Sequence, residues 1–309
     1  MKHFINLKDI SAKDLRKILV DAIKRKKNRK KLSTLEIDKS SPLKGKLLIQ
    51  MFEKSSLRTR LSFYLAIKQL GGSTLTLRPD ELHLSKGGES IEDTAKILSN
   101  FGNAFMLRTD SDKKLEEFKK YLSIPIINGL SPSSHATQIL SDVFTVEEIK
   151  NKPISKLNIT WIGDSNNVLN SLIAASIKFS FKLNIGCPKN YRPNKKIMNY
   201  IKSNKNKIFI YDDPKKAVVG ADVIFSDKVI SMNDKVNKIK KLSYFKKFKI
   251  DLKLMSLAKK DSIFLHCLPR GTEVDEKVFS SKQSKVWQQA LNRVHVQKSI
   301  LLYCFGKLR

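Results

Sequence analysis

The sequence predicts an α/β protein built from two doubly wound parallel sheets. Nine short apolar runs alternate with helical patterns along nearly all of the 309 residues. Such alternation is typical of parallel strands that are covered by helices on both faces of the sheet. The polar joint KNKPISK (150–156) separates the first four runs from the other five. A chain of this length also favours two domains over one.

The first series starts with the apolar strand KLLIQMF (46–52), and the helical pattern RTRLSFYLAIKQL (58–70) follows it. A glycine pair then ends the helix, as glycine commonly does just past a helix end. Ser90 and Asp93 have the spacing of a capping box at the start of a later helix. The remaining elements, in chain order, are the strand STLTL (73–77), the helix SIEDTAKILSNF (90–101), the strand NAFMLR (103–108), the helix KKLEEFKKYL (113–122), the strand IPIIN (124–128) and the helix HATQILSDVFTVEEI (135–149).

The second series contains five apolar runs of strand length with helical patterns between them. These runs are LNITWIG (157–163), KLNIGCP (182–188), KIFIYDD (207–213), DVIFSD (222–227) and SIFLHCL (262–268). The final pattern, VWQQALNRVHVQKSILLYCF, predicts a long amphipathic helix over about residues 286–306. We therefore expect two domains linked by helices, residues 1–148 and residues 149–309, with the C-terminal helix packing back on the first domain.

Polar side chains follow the apolar runs at six points, where the predicted strands end. Ligands of doubly wound sheets bind beyond the carboxyl ends of the strands, so these side chains mark a candidate site. They are Ser56, Arg58, Thr59, Arg108, Asn128, His135 and Gln138 in the first series, and Asp164 to Asn167, Ser226, Asp227, His266 and Cys267 in the second. Their division between two domains predicts a cleft that binds two ligands.

The segment SSLRTR (55–60) predicts an anion site. A helix that begins near Ser56 offers unpaired backbone N–H groups and the positive end of its dipole, which together bind phosphate. The hydroxyls of Ser56 and Thr59 add donors, and the guanidinium of Arg58 adds a planar fork for oxyanion oxygens. Taken alone, the segment is equally consistent with a capped helix whose arginines pair with surface acids.

The chain carries a formal net charge of +31, which would attract polyanions such as nucleic acid. Its lysines are spread along helical segments, and lysine outnumbers arginine, the residue that bidentate readers of phosphates favour. We therefore favour a lysine-rich solvated surface that contacts nucleic acid only nonspecifically. A basic nucleic-acid-binding protein stays open as the alternative from another functional class.

The sequence shows no signal for export or membrane insertion. No apolar run reaches membrane-spanning length, and the start MKHFINLKDISAKDL does not resemble a secretory signal. Three scattered cysteines favour neither a disulfide framework nor a zinc cluster. We expect a cytoplasmic protein.

Five motifs stand in the order and spacing of the carbamoyltransferases: FEKSSLRTRLSF, ESIEDTAKILS, HATQILSD, SMND and FLHCLPRGTEVDEKVF. The chain resembles that family over nearly its whole length, and HCLP together with SMN resembles its ornithine branch. The resemblance implies transfer of the carbamoyl group of carbamoyl phosphate to the side-chain amine of L-ornithine, giving L-citrulline and phosphate in arginine biosynthesis. It also implies a homotrimer with shared sites and a reaction without metal or other cofactor.

The resemblance also assigns roles to individual residues. Positions that match the carbamoyl phosphate site are Ser56, Leu57, Arg58, Thr59, His83, Arg108, His135, Gln138, Cys267, Leu268 and Arg293. Those that match the ornithine site are Asn167, Asp227, Ser231 and Met232. The expected catalytic residues are Arg108, His135, Asp227 and Cys267. His83 matches a position that reaches the neighbouring subunit's site in the family's trimer.

The sequence departs from the family pattern at four positions: Leu57, Ala136, Asn233 and Leu291 stand where the family usually has Thr, Pro, Gly and Glu. Leucine at position 57 also occurs in relatives that act on N-acylated ornithines, so an N-acylornithine substrate stays open. The aspartate branch is less favoured because it usually carries HPLPR where this chain has HCLPR. The sequence leaves the anabolic and catabolic directions open.

Overall fold

The computed structural model of the protein describes residues 1–78, 88–204, 207–230 and 237–308. His83, Ser231, Met232 and Asn233 lie outside the described residues. Within the described ranges, no helix is both long enough and apolar enough to cross a membrane. Packing divides the chain into two compact units: Met1–Ser141 with Leu291–Arg309, called unit 1 here, and Asp142–Ala290, called unit 2. The domain limits 1–148 and 149–309 stay a prediction.

Nine strands and twelve α-helices form within the described ranges. The strands are β1 (Leu47–Phe52), β2 (Ser73–Leu77), β3 (Ala104–Arg108), β4 (Ile126–Leu130), β5 (Asn158–Ile162), β6 (Lys182–Gly186), β7 (Ile208–Tyr211), β8 (Val223–Ser226) and β9 (Ile263–His266). The helices are α1 (Ala12–Asn28), α2 (Leu57–Gln69), α3 (Ile91–Phe101), α4 (Asp112–Tyr121), α5 (Ala136–Lys150), α6 (Asn167–Phe179), α7 (Lys195–Ser203), α8 (Pro214–Val218), α9 (Lys238–Phe245), α10 (Leu252–Met255), α11 (Glu276–Phe279) and α12 (Val286–Cys304).

Unit 1 contains a four-stranded parallel sheet with the order β2-β1-β3-β4. All four strands coincide with predicted apolar runs. The two central strands, β1 and β3, are mostly buried, whereas the edge strand β2 is partly exposed. Phe52 at the end of β1 lies opposite Arg108 at the end of β3. The chain therefore enters the predicted anion segment beside Arg108.

A serine hydroxyl caps each of the first four helices. Ser11, Ser56, Ser90 and Ser111 each accept the backbone N–H of the residue three positions later, at 3.0 to 3.3 Å. Serine is among the preferred residues at this position because its oxygen satisfies a donor that the first helical turn leaves free. The predicted start of α3 at Ser90 is confirmed, whereas α1 was not predicted.

The C-terminal helix α12 returns to unit 1, as predicted, because its residues from Leu291 onward pack there. A buried carboxylate fixes it. Asp38 accepts from Nζ of Lys298 at 2.6 Å and from Arg29 at 2.7 Å. Burial lowers the pKa of Lys298 to about 8, although the hydrogen bond and charge of Asp38 act to raise it. Lys298 also lies 3.3 Å from Oε1 of Gln69 at the end of α2.

Unit 2 contains a five-stranded parallel sheet with the order β7-β6-β5-β8-β9. All five predicted strands form, and the fully buried Trp161 lies on the central strand β5. Ser226 at the end of β8 lies opposite His266 at the end of β9. The predicted site residues Asp227 and Cys267, which follow these two positions, therefore emerge at the same edge of the sheet.

The carboxylate of Asp38 is expected to dominate the stability of unit 1. Asp38→Ala would leave the buried cations of Lys298 and Arg29 without their counter-charge, and we expect a loss of about 3–5 kcal/mol in the free energy of unfolding. Urea denaturation measures this loss. Asp110→Ala, which removes a 57% exposed carboxylate 3.8 Å from Lys54, is the control and should cost about 1 kcal/mol or less. Equal effects of the two substitutions would contradict this assignment.

Candidate active site

The N-terminus of α2 forms the first part of the site. Ser56 is the N-cap, and its hydroxyl accepts the N–H of Thr59 at 3.3 Å. Leu57 is the first helical residue, and its side chain is 71% exposed. The backbone N–H groups of this turn carry the positive end of the helix dipole. The missing hydroxyl at position 57 therefore leaves the anion-binding property of the backbone intact.

Arg293 of α12 holds α2 and α5 together within unit 1. Its Nη2 donates to Oγ1 of Thr59 at 2.8 Å, and its Nη1 donates to Oε1 of Gln138. Arg293, Thr59 and Gln138 are all buried. Three predicted site residues from distant parts of the sequence thus form one hydrogen-bonded group.

Three guanidinium groups act electrostatically on the buried imidazole of His135. Burial lowers the pKa of His135 well below its ordinary value, and the positive charges of Arg293, Arg108 and Arg58 lower it further. Burial also lowers the pKa of Arg108 to about 10, with a smaller effect from the charge of Arg58. At pH 7 the imidazole is therefore neutral, whereas Arg108 keeps its proton.

Arg108 has a buried hydrogen-bond donor that could bind a ligand. Among the residues that the structure describes, its Nε is buried without a hydrogen-bond partner. An unsatisfied buried donor costs about 1–3 kcal/mol, and more when the group is charged. A bound anion would supply the acceptor and offset the repulsion between Arg108 and Arg58. This part of unit 1 can therefore bind a compact, multiply charged anion and polarise a carbonyl oxygen attached to it.

In unit 2, Asn166 links the start of α6 to a carboxylate. Its Oδ1 accepts the N–H groups of Val168 and Leu169 at 3.0 and 3.1 Å, which caps the helix. Its Nδ2 donates to Oδ2 of Asp227 at 2.8 Å. Asn167, the predicted ligand residue, is the first residue of α6. The helix cap therefore fixes the orientation of Asp227 as well.

The carboxyl group of Asp227 has a perturbed affinity for protons. Burial raises its pKa, although the nearby His266 and hydrogen bonds from the N–H of Lys228 and from Asn166 act in the opposite direction. A carboxylate with a raised pKa accepts a proton more readily than an exposed one. Asp227 is therefore suited to bind and orient a cationic group.

Glu273 joins the loops that follow β8 and β9. The N–H of Leu268 donates to Nδ1 of His266 at 2.9 Å, so the proton of the imidazole sits on Nε2, 3.1 Å from Oε1 of Glu273. Glu273 also accepts the N–H of Gly271 and, at 3.4 Å, that of Val229. Burial acts to raise the pKa of Glu273, but the hydrogen bonds from His266 and Gly271 hold it below its ordinary value.

Cys267 and Leu268 lie in the turn that this network supports. The Cys267 side chain is buried. Leu268 has a φ of +56°, in the left-handed region that leucine rarely adopts. Such conformations persist where the surrounding structure imposes them, and they concentrate at functional sites. The bond from its N–H to His266 holds the strained residue in place.

Each unit brings together a group of the predicted site residues. In unit 1 these are Ser56, Leu57, Arg58, Thr59, Arg108, His135, Gln138 and Arg293. In unit 2, Asn167, Asp227, Cys267 and Leu268 follow the ends of β5, β8 and β9. The predictions for His83, Ser231 and Met232 fall outside the described residues.

The sequence analysis assigned no role to Asn166, His266 and Glu273, which position predicted site residues in unit 2. Asn166 and His266 stood at predicted strand ends, and that position was the available signal. No feature of the sequence indicated a role for Glu273, because its contacts with His266 and Val229 form only in the folded sheet.

Family comparisons match both halves of the chain. Residues 2–148 match the carbamoyl-P binding domain of the aspartate/ornithine carbamoyltransferases, and residues 155–304 match their Asp/Orn binding domain. The chain belongs to the aspartate/ornithine carbamoyltransferase family. The resemblance inferred from the sequence motifs is confirmed.

Individual members of this family resemble the chain over its full length. The ornithine carbamoyltransferase of Agrobacterium fabrum is 40% identical over 307 residues, which cover 99% of this chain and 98% of that protein. The crystal structure of the anabolic ornithine carbamoyltransferase from Campylobacter jejuni has a TM-score of 0.88 at 36% identity, covering 99% of this chain and all of that one. The structure of the ornithine carbamoyltransferase from Pyrococcus furiosus has a TM-score of 0.90 at 36% identity, covering 99% of this chain and 97% of that one.

The lowered pKa of Glu273 predicts a pH-dependent contribution to stability. The carboxylate stabilises the folded state above its ordinary pKa of 4.5, and the contribution disappears as the pH falls through the lower folded value. Glu273→Gln should cost about 1–3 kcal/mol at pH 7, because it sets an amide against backbone donors. The difference from the wild type should shrink below about pH 4.5, as thermal unfolding at several pH values would show.

The exposed Glu148 of the same unit provides the control for this experiment. Glu148→Gln should give a small difference at every pH. A Glu273→Gln deficit that stays constant down to pH 3 would show that the charge of Glu273 does not support the turn.

Proposed function

We propose that the protein is an ornithine carbamoyltransferase, which forms L-citrulline and phosphate from carbamoyl phosphate and L-ornithine. The observation that carries the proposal is that Arg293 bonds to Thr59 in the first turn of α2 and to Gln138, close to the buried His135, whose pKa is lowered by burial and by the charges of Arg293, Arg108 and Arg58. Within this family, such a cationic group suits a phosphorylated carbamoyl donor. Relatives named ornithine carbamoyltransferase at about 40% identity support ornithine as the acceptor.

The donor is proposed to bind through its phosphate to the first turn of α2, with Arg58 adding a charged fork. The positions that match the family's donor site are Ser56, Leu57, Arg58, Thr59, His83, Arg108, His135, Gln138, Cys267, Leu268 and Arg293. Arg108 and the neutral His135 donate to the carbonyl oxygen, where negative charge develops as the amine attacks. Because His135 stays uncharged, it adds a donor without adding to the repulsion among the arginines.

The acceptor must lose a proton before it reacts, because an amine of this kind has a pKa near 10.4. Asp227 is proposed to orient the ammonium group and to accept its proton, and Cys267 to contact the amine. The nitrogen then forms a bond to the carbonyl carbon, and the bond from that carbon to the phosphate oxygen breaks, with its electron pair leaving on phosphate. The departing phosphate takes the second proton that the nitrogen loses as the amide forms. Asn167, Ser231 and Met232 are proposed to bind the rest of ornithine. Holding both reactants in the reactive geometry supplies much of the rate acceleration, because the two bound molecules then react as one.

We place this reaction in cytoplasmic arginine biosynthesis. The Campylobacter jejuni relative that bears the name anabolic supports this direction. Contact with nucleic acid is proposed to be nonspecific and to arise from the net charge of +31.

We also propose a homotrimer in which His83 reaches the neighbouring subunit's site. Unit 1 presents an apolar groove of about 240 Å³, lined in part by Leu75 of β2 and by Ile97 and Phe101 of α3. Phe101 is 76% exposed in the single chain. Exposed apolar clusters of this kind commonly mark contact surfaces between proteins.

The activity itself can be tested directly. Purified protein supplied with carbamoyl phosphate and L-ornithine should form L-citrulline and phosphate in equal amounts, and Arg108→Met should lower kcat/KM by about 100- to 1000-fold. Arg16→Met, which changes an arginine of α1 outside the proposed site, is the control. Citrulline formation is followed colorimetrically.

Two outcomes would overturn the proposed function. Activity with N-acetylornithine but none with ornithine would identify an N-acylornithine carbamoyltransferase. No activity, together with salt-sensitive RNA binding and no rise in Tm with carbamoyl phosphate, would favour the nucleic-acid-binding alternative.

The trimer proposal predicts a particle of three 35.3 kDa chains by light scattering. Phe101→Glu should dissociate it, because a charge placed in an apolar contact is costly to desolvate. Val219→Glu, which alters a 65% exposed side chain of unit 2, is the matched control and should leave the particle intact. A monomeric wild type would refute the trimer, and an intact Phe101→Glu particle would exclude this groove as the contact.

A further inference from the structure

An ion pair of unit 2 lies beside the predicted ornithine residues and takes no part in the proposed reaction. Nζ of Lys241 lies 2.6 Å from Oδ2 of Asp164. Lys241 belongs to α9, whereas Asp164 lies in the connection from β5 to α6. The pair therefore joins two segments that are 77 residues apart in the sequence.

The cation of this pair is removed from water. The Lys241 side chain is 3% exposed, and its Nζ lies 5.5 Å from the centre of the Tyr191 ring. The Tyr191 ring in turn packs 5.0 Å from that of Phe245, which is on the same helix as Lys241. A buried ion pair often stabilises a fold no more than apolar residues of similar volume would. The position of the Lys241–Asp164 pair therefore says more about its role than its contribution to stability does.

The Asp164 end of the pair fixes the segment that presents Asn166. The carbonyl oxygen of Asp164 accepts Nε1–H of Trp161 at 3.2 Å and the N–H of Asn166 at 3.0 Å. Asn166 in turn donates to Asp227 at 2.8 Å. A chain of three contacts thus connects Lys241 to the carboxylate that is proposed to bind the reacting amine.

Through Lys241, the ion pair fixes α9, the helix that follows the predicted ornithine residues Ser231 and Met232 in the sequence. The chain runs from Asp227 through the predicted residues Ser231 and Met232, and α9 begins at Lys238. Asn237 caps this helix by accepting the N–H groups of Ile239 and Lys240. The Lys241–Asp164 pair therefore attaches the end of this chain segment to the loop that orients its beginning.

We propose that Lys241 and Asp164 are positioning residues for the amino-acid substrate. The pair holds α9 against the β5–α6 connection, from which Asn166 donates to Asp227, so that this carboxylate keeps its orientation toward the amino-acid substrate. This inference rests on the proposed function, and it assigns the pair no contact with carbamoyl phosphate.

A purely structural role makes a different prediction. If the pair only stabilised unit 2, its removal would lower Tm and the yield of folded protein without a selective effect on either substrate. Positioning predicts instead that the KM for ornithine rises and the KM for carbamoyl phosphate does not. The ratio of the two KM values therefore separates the two roles.

The experiment compares Lys241→Met, Asp164→Asn and the double substitution with the wild type in steady-state citrulline formation. Each single change should raise the KM for ornithine about tenfold, because coupling between a distant contact and a ligand site commonly changes affinity about five- to 150-fold. The KM for carbamoyl phosphate should change less than twofold. In the double variant the effects should be less than multiplicative, because both changes break the same contact.

Two further variants provide rescue and control. Lys241→Arg keeps a cation beside Asp164 and should restore most of the ornithine affinity. Lys259→Met removes a second Lys–Asp pair of unit 2, Lys259–Asp222 at 2.8 Å, whose lysine is 45% exposed and whose aspartate accepts the N–H of Asn158 at the start of β5. It should leave both KM values near those of the wild type.

The outcomes are distinguishable from failure of the proposed function. An inactive wild type would refute the function itself. With an active wild type, a Lys241→Met variant whose two KM values rise together or not at all would refute the positioning role. If Lys241→Met does not fold, Asp164→Asn decides by the same KM ratio, because it removes the negative charge of the pair and keeps a side chain of the same size.

Discussion

The arrangement of polar residues in both units depends on one geometric constraint, the common direction of parallel strands. In a parallel sheet every strand ends at the same edge, so residues far apart in the sequence meet there. In unit 1 this brings the end of β1 beside Arg108, and in unit 2 it brings Ser226 beside His266. The loops that follow can then carry functional side chains without disturbing the buried strands.

In unit 1 this constraint places several positively charged side chains close together, and other contacts of the fold must offset their repulsion. Burial lowers the pKa of His135, and the charges of Arg293, Arg108 and Arg58 lower it further, so these three charges act on the same buried group. Such a cluster is unfavourable until an anion occupies it. Arg293 is held in place by Thr59 and Gln138, while Lys298, on the same helix, is held by Asp38. One helix therefore carries both a binding cation and the buried ion pair that fixes it.

The sequence was sufficient to predict the nine strands of the described ranges, the serine cap of α3 and the grouping of candidate site residues at strand ends. These features depend on local periodicity and on the direction of parallel strands. The hydrogen bonds of Arg293 with Thr59 and Gln138, and of Glu273 with His266 and Val229, were not predictable in this way. Such contacts join positions whose proximity exists only in the folded sheet. The family resemblance supplied Arg293 as a site residue, but not its partners.

The three departures that lie within the described residues, Leu57, Ala136 and Leu291, fall where the fold does not require the side chain that the family usually has. Leu57 is largely exposed at the start of α2, where the backbone N–H is the relevant donor. Ala136 is the first residue of α5, a position that proline favours because of its fixed φ, yet the helix begins there without it. Alanine has the highest helix propensity, which explains why this start is kept. Leu291 is 58% exposed, so loss of the usual carboxylate there changes the surface rather than the buried contacts of α12.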